Sequence, residues 1–281
     1  MTRRQRLDAE LVRRGLARSR DHAADLVAAG RVRISGVVAT KPATGVGTDV
    51  ALLVAPDPDR PGEPEYVSRG GHKLAGALRS FVPLGLRVSG RRCLDAGAST
   101  GGFTDVLLRH GAASVVAVDV GYGQLAWPLR QDPRVEVRDR TNIRRLTASD
   151  IAPPVDLVVG DLSFISLTKV LDPLVAVTAG AGDLVLMVKP QFEVGKQRVG
   201  KGGVVRDPGL HAEAVETICS AADERGWGAR ALAVSPLPGP SGNLEFFVWL
   251  RRGPRSLDAG RIAREVRAAP APGAPDEKVG R

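Results

Sequence analysis

The stretch "CLDAGASTGGF", Cys93 to Phe103, decides how this chain folds. An apolar segment of strand-forming type ends at Asp95, glycines make a tight turn, and Phe103 to Leu108 begin a helix. Such a strand–turn–helix unit lets backbone approach a ligand closely and aims helix N–H groups at it. Two nucleotide-binding turns fail on spacing. A dinucleotide fingerprint needs G-x-G-x-x-G, and Ser99 stands at the middle glycine position. The phosphate loop G-x-x-x-x-G-K-[ST] does not occur either. What stands here is D-x-G-x-x-x-G-G, with Gly97 followed by the Gly101-Gly102 pair.

Outward from this turn, strand and helix patterns alternate: "SVVAVDV", "QLAWPLRQD", "VEVRDR", "VDLVVGDLS", "SLTKVLDPLVAVT", "DLVLMVK" and "HAEAVETICSAADERG". That order predicts an α/β fold with a doubly wound, mostly parallel sheet. Leu184 to Val188 is apolar on both faces, as in the middle of such a sheet. Lys189 ends the run, and Pro190 stops the ladder by removing a backbone donor. "GARALAVSPL" and Leu244 to Leu250 read as the last two strands. The "PLPGPSGN" between them is not helical, so these strands are expected to pair antiparallel. A short helix is expected near 257–268, and "APAPGAPDEKVGR" after it reads as disordered.

Charged residues gather where such strands end, which is where open α/β sheets bind ligands. Asp119 ends the second strand, 24 residues after Asp95, and suits the hydroxyls of a ribose. Asp139 follows the third strand, either against a ligand base or as a turn former. Asp161 ends the fourth strand and Lys189 the fifth. Glu245 belongs to the last strand, and Lys73 lies near the start of the helix before the first. Each has an ordinary reading as a cap or solvated charge; four at one rim argue for chemistry.

The N-terminal segment differs in character. The chain of 281 residues carries a formal charge of +9, and residues 1–41 hold ten Lys or Arg against four Asp or Glu. The usual partner of such a segment is a polyanion, nucleic acid above all. Leu7 and Leu11 share one helical face, and Gly15 can end that helix. Ser19 caps a second helix with Ala23, Leu26 and Val27 inward and Gly30 as the stop. "RVRISGVVATKP" alternates, Ser35-Gly36 signals a hairpin, and "VALLVA" at 50–55 adds a strand. Residues 1–55 thus form a small α+β module, and "PDPDRPGEPE" at 56–65 an extended, semi-rigid linker. Residues 66–252 form the large domain and 253–281 a short helix and tail. Cys93 and Cys219 lack metal-ligand spacing, and no His/Cys ligand set is visible, so no metal is expected. No run approaches the ~18 apolar residues of a membrane span, and the basic start lacks a signal-peptide core, so a cytoplasmic location is expected.

"LVRRGLARSRDHAADLVAAGRVRISGVVATKP" resembles an S4-like RNA-binding domain, with Ser35-Gly36 where that pattern often has Asn-Gly. "SRGGHKL", "LDAGASTGGFT", "DVGYGQLAW", "DLSFIS", "VKPQFE…GKGGVVRD" and "SPLPGPSGNLEFF" resemble the TlyA (hemolysin A) family of ribosomal RNA methyltransferases. The resemblance runs from residue 1 to about 251. It implies a Rossmann-like class I methyltransferase fold of the FtsJ type, with a seven-stranded sheet and an antiparallel last strand. It also implies S-adenosylmethionine as cofactor and methylation of cytidine 2′-hydroxyls in 16S and 23S rRNA. The arginine-rich start resembles the actinobacterial form that modifies both ribosomal subunits.

The FtsJ-type Lys-Asp-Lys-Glu tetrad falls on Lys73, Asp161, Lys189 and Glu245. The expected cofactor-binding residues are Asp95, Gly97, Ala98, Ser99, Thr100, Gly101, Gly102, Phe103, Asp119, Val120, Asp139 and Asp161. RNA contacts are expected from Arg4, Arg6, Arg18, Arg20, Arg31, Arg33 and Lys41, and from Lys196, Arg198 and Lys201 in the loop after the fifth strand. The expected partner is ribosomal RNA on the ribosomal subunits, with neither DNA nor membrane. Lys189 is preferred as the base; a charged Lys189 that stabilises the forming alkoxide is the other reading. Phe164 and Phe192 either stack an extracted nucleotide or pack in the core. The rival functions are a non-catalytic RNA-binding protein, which has no use for the charged rim, and a membrane-active cytolysin, which needs lytic amphipathic segments.

Overall fold

The computed structural model describes residues 4–17, 19–56, 64–239 and 241–269. Arg18, most of the proline-rich linker and residues 270–281 of the stretch read as a disordered tail lie outside the described residues. Contacts divide the chain into two compact units, Met1–Glu65 and Tyr66–Arg281.

In the first unit the order is β1 (Gln5–Arg6), α1 (Leu7–Arg13), α2 (Arg20–Ala28), β2 (Val32–Ile34), β3 (Val37–Val38), β4 (Gly45–Val46) and β5 (Leu52–Val54). Leu7, Leu11, Ala23, Leu26, Val27 and Val32 are its buried core. Ser19 starts α2 by accepting a hydrogen bond from the His22 N–H at 3.1 Å. Ser35 and Gly36 have φ of 47° and 87° and turn β2 into β3, the two-residue geometry that matches strand twist. β3, β2 and β5 form one sheet; β1 and β4 form a two-stranded ribbon absent from the sequence reading. Two residues per strand are too few to show a period.

Part of the basic segment is internal wiring. Glu10 is buried on α1 and receives Arg13 at 2.6 Å and Arg14 at 2.7 Å. Arg14 also donates to the carbonyls of Val50 at 2.6 Å and Thr48 at 2.9 Å, tying α1 to the loop before β5. These arginine bonds hold the Glu10 carboxyl down to about 2.

The second unit holds β6 (Arg92–Ala96), β7 (Ser114–Val118), β8 (Val135–Arg138), β9 (Val155–Gly160), β10 (Thr178–Val188), β11 (Trp227–Val234) and β12 (Phe246–Arg252). They make one sheet in the order β11-β12-β10-β9-β6-β7-β8. β10, β9, β6, β7 and β8 pair in parallel, and β12 is antiparallel to both β10 and β11. Its helices are α3 (Arg69–Phe81), α4 (Gly102–Arg109), α5 (Trp127–Arg130), α6 (Leu171–Ala176), α7 (Pro190–Glu193), α8 (Pro208–Asp223) and α9 (Ala259–Arg267). α3 and α4 cover one face around Phe81, Leu107 and Phe247; α6, α8 and α9 cover the other around Leu174, Ile218 and Ile262.

Four elements of this unit differ from the sequence reading. α5 and α6 are single short turns of four and six residues where longer helices were expected. Pro190 opens a helical turn, α7, inside a stretch read as loop, because proline fits the first turn of a helix. β10 begins at Thr178, six residues before its apolar run, with an irregularity between Thr178 and Asp183. At that irregularity Asp183 is fully buried. It accepts from Arg91 at 2.5 Å, Arg251 at 2.7 Å and the Trp249 indole at 2.7 Å.

Candidate active site

The strand order reverses between β6 and β9, and ligands of open α/β sheets bind beyond the strand ends at such a point. Gly97 follows β6 with φ of 86°. A Cβ there would stand 2.8 Å from the Asp161 carbonyl oxygen, so only glycine lets this turn pass the end of β9. The Asp161 N–H donates to the Ala96 carbonyl at 3.1 Å and closes the crossing.

A cleft of about 520 Å³ opens here. Gly97, Ser99, Asp119, Val120 and Asp161 line it, as do Gln124, Asn142, Ile143, Leu162, Ser163 and Phe164. The Asp119 carboxylate accepts from the Ser99 N–H at 2.8 Å and the Gly121 N–H at 2.6 Å. A carboxylate has about four acceptor sites, so two remain for a ligand.

Asp95 is fully buried behind the turn. Its Oδ2 accepts from the Thr104 N–H at 2.9 Å and the Thr104 hydroxyl at 2.7 Å. Its Oδ1 has no hydrogen-bond partner among the described residues. Burial pushes this carboxyl up to about 7; the Thr104 bonds oppose the rise, and the charges of Asp161 and Asp119 add to it. From about pH 4 to about pH 7 the folded state therefore binds more protons here than the unfolded chain, and this contribution to stability falls as pH rises. In Asp95→Asn that slope disappears. Melts of both proteins across pH 4–8 should converge at the acid end and separate near neutrality, with the variant gaining relative to the parent.

Several residues expected at the cofactor do not line the cleft. Gly101 has φ of 96°, and a Cβ on it would run within 2.4 Å of Leu129. A Cβ on Gly102 would lie 2.3 Å from the Ser68 hydroxyl and 2.7 Å from the Gly71 nitrogen. The glycine pair therefore clears space for Ser68, α3 and the α5 segment. Phe103 is buried, its ring 5.9 Å from that of Phe247. Ala98 is buried, and the exposed Thr100 uses its carbonyl to accept from the Ala126 N–H. Asp139 is taken by Arg130 at 2.8 Å, and Thr141, Asn142 and Ile143 face the cleft instead. Its carboxyl lies below the usual range because of that arginine bond.

The four charged residues meet as two ion pairs. Lys73, buried on α3, sits 2.5 Å from Glu245. Lys189 sits 2.5 Å from Asp161 and donates to the Ser163 hydroxyl at 2.8 Å. Val188 pairs with Phe246, so Lys189 and Glu245 stand just past the last rung of β10 and β12. Asp161 belongs both to the cleft and to the Lys189 pair, so the lysine adjoins the cleft.

Sequence reasoning missed Ser163, although it stands two residues after Asp161, and missed Gln124, Asn142 and Glu193. Glu193 accepts from the Ser166 hydroxyl at 2.6 Å and the Leu167 N–H at 2.9 Å, tying the loop after β9 to α7. Burial raises its carboxyl. On the loop so held, Phe164 has φ of 63° and is 91% exposed, with its ring 5.3 Å from that of the half-buried Phe192. Core packing is thus excluded for Phe164.

The expected RNA contacts separate into two kinds. Arg4, Arg33, Lys41, Lys196 and Lys201 are exposed. Arg6 and Arg20 share the carboxylate of Asp8, at 2.7 and 3.4 Å. Arg31 is ion-paired to Glu65 and donates to the Ala55 carbonyl at 2.9 Å. Arg198 is paired with Glu213 at 2.5 Å. Arg31 and Arg198 therefore hold local structure rather than offering an uncompensated charge.

The cleft suits a cofactor that carries positive charge. Asp119 and Asp161 present carboxylates to it, and Asp119 keeps acceptor sites open for a ligand. A sulfonium and an ammonium group are what such a set accepts. The fold and the donor set together define a class I, S-adenosylmethionine-dependent methyltransferase.

The FtsJ-like methyltransferase family model matches residues 66–252, and the S4 domain model matches residues 5–50. The 16S/23S rRNA (cytidine-2′-O)-methyltransferase TlyA of Mycobacterium tuberculosis is 58% identical over 96% of this chain and 98% of that protein. Hemolysin A of Brachyspira hyodysenteriae is 38% identical over 86% of this chain and 97% of its own length. A solved structure of a hemolysin-named protein from Streptococcus thermophilus superposes with a TM-score of 0.72 at 36% identity, covering 95% of this chain and 96% of that one. The chain belongs to the TlyA family of FtsJ-like methyltransferases. Among the described residues no helix is long and apolar enough to cross a membrane.

Proposed function

We propose that this protein methylates the 2′-hydroxyl of cytidine in ribosomal RNA. The observation that carries the reading is the pairing of Lys189 with Asp161 and of Lys73 with Glu245 beside the cofactor cleft. The mycobacterial relative is named for this reaction on 16S and 23S rRNA, and the S4 domain supplies an RNA-binding module. A ribosomal substrate fits a cytoplasmic location.

When bound, S-adenosylmethionine supplies an electrophilic methyl group on a good leaving group. The protein must bring a ribose oxygen to about 3 Å from that methyl and remove its proton. Lys189 is positioned to do the second. Its amine must be neutral when it takes the hydroxyl proton; the Asp161 carboxylate, 2.5 Å away, favours the charged amine, so it orients Lys189 and does not take its proton. Ser163 fixes the direction of the amine. Lys73, held by Glu245, places positive charge where the oxygen gains negative charge.

A ribose in a structured RNA reaches this site only when its nucleotide leaves the stack. The exposed Phe164 ring offers a face for the extracted base, and base–aromatic stacking is worth about 1–3 kcal/mol. Phe164→Ala should therefore lower kcat/KM for ribosomal substrate about 10–100-fold and leave cofactor affinity unchanged. The exposed Arg4, Arg33, Lys41, Lys196 and Lys201 supply phosphate contacts. The reading is tested by tritium transfer from S-adenosylmethionine to separate 30S, 50S and 70S particles. Label in rRNA is expected; none in any of the three overturns it.

A further inference from the structure

The far end of the sheet carries a second site. Asp183, on the rung opposite Arg251, lies five residues before Val188, about 17 Å at ~3.3 Å per residue from the active-site end. There, Leu84, Arg230, Trp249, Arg251, Ser256 and Arg261 line a cleft of about 390 Å³. Three of those six residues are arginines. We propose that this cleft binds a phosphate group.

The charge is not balanced locally. Asp183 answers both Arg91 and Arg251, and Arg261 pairs with Glu265 at 3.1 Å. Arg230 donates to the Arg252 carbonyl at 3.2 Å. Its Nε is buried and has no hydrogen-bond partner among the described residues. The backbone explains why this arginine is placed so. The β11–β12 register shifts between Ala229 and Ala231, which leaves Arg230 as the extra residue of a bulge. Bulges re-aim side chains, and this one directs a guanidinium into a cleft that already holds two. Arg251 is fixed there by Asp183 and by stacking 4.9 Å over Trp249. Guanidinium forks suit phosphate oxygens, which accept two parallel N–H bonds. None of these residues belongs to the methyl-transfer site.

The phosphate has two possible sources, a polynucleotide backbone or a small phosphate, and two readouts separate them. Calorimetry of inorganic phosphate binding to the full chain in low-chloride buffer compares the parent with Arg230→Met. The salt dependence of RNA binding by the same proteins is measured alongside. The expected result is saturable phosphate binding weakened at least about tenfold in the variant, with S-adenosylmethionine affinity unchanged. If the log–log salt slope for RNA also falls by about 1, the source is the RNA backbone; an unchanged slope makes it a small phosphate. Equal phosphate binding by both proteins, or none by the parent, overturns the proposal. Should Arg230→Met not fold, Arg261→Gln gives the same comparison.

Discussion

The Lys189→Ala protein binds S-adenosylmethionine as the parent does and transfers its methyl group about 10²–10⁴-fold more slowly. Lys189 is the amine next to the cleft that can take a proton, and Ser163 and Asp161 hold it in place. The lysine side chain is buried, so solvent does not readily replace it. Lys189→Arg divides the two roles open for this residue. Arginine keeps the charge but stays protonated, so a base function is lost and a charge function largely kept. Single-turnover rates with saturating cofactor report the chemical step alone. An Arg variant as slow as the Ala variant assigns the proton to Lys189; a nearly active one leaves it only the charge.

Asp183→Ala unfolds at much lower urea than the parent, with a loss of about 3 kcal/mol. The cause is the desertion of three donors by one buried carboxylate. Removing one partner of a buried ion pair costs more than the pair contributes, because the charge left behind is unsolvated. Here two guanidinium groups remain, at 19% and 35% side-chain exposure, so water recovers part of the loss. That places the value near the lower end of the range. Asp183→Asn, which still accepts from Trp249, should lose less. Urea midpoints at constant slope are the measurement. Cofactor affinity of the folded variant should be unchanged, since the site is at the opposite end of β10.

The strand–turn–helix unit, the mostly parallel sheet and the antiparallel end were legible because alternating apolar runs and glycine spacing report them. The four rim charges were legible as a set for the same reason, since strand ends are where the runs stop. Their pairing was not. Lys73 goes to Glu245, and Lys189 to Asp161; β10 lies between β12 and β9, so Lys189 ends beside both carboxylate-bearing strands, and neither that order nor the partner chosen is written in any local period. The glycine pair at 101–102 was ambiguous in sequence. A missing Cβ shows that something comes close; only the packing of Ser68, Gly71 and Leu129 shows that it is protein. Arginine counts had the same ambiguity. Arg31 and Arg33 look alike in sequence, but Glu65 lies 34 residues beyond Arg31 and takes it up. Asp183 read as an ordinary polar residue before an apolar run, because its three partners come from distant segments of the chain.

The central claim is that a ribose oxygen, not a base atom, receives the methyl group. Ribosomal RNA methylated by the parent protein, digested to nucleosides and resolved by mass spectrometry, decides it. The account predicts 2′-O-methylcytidine that is absent from rRNA treated with Lys189→Ala. Methyl groups found on the cytosine ring, or unaffected by loss of Lys189, would contradict it.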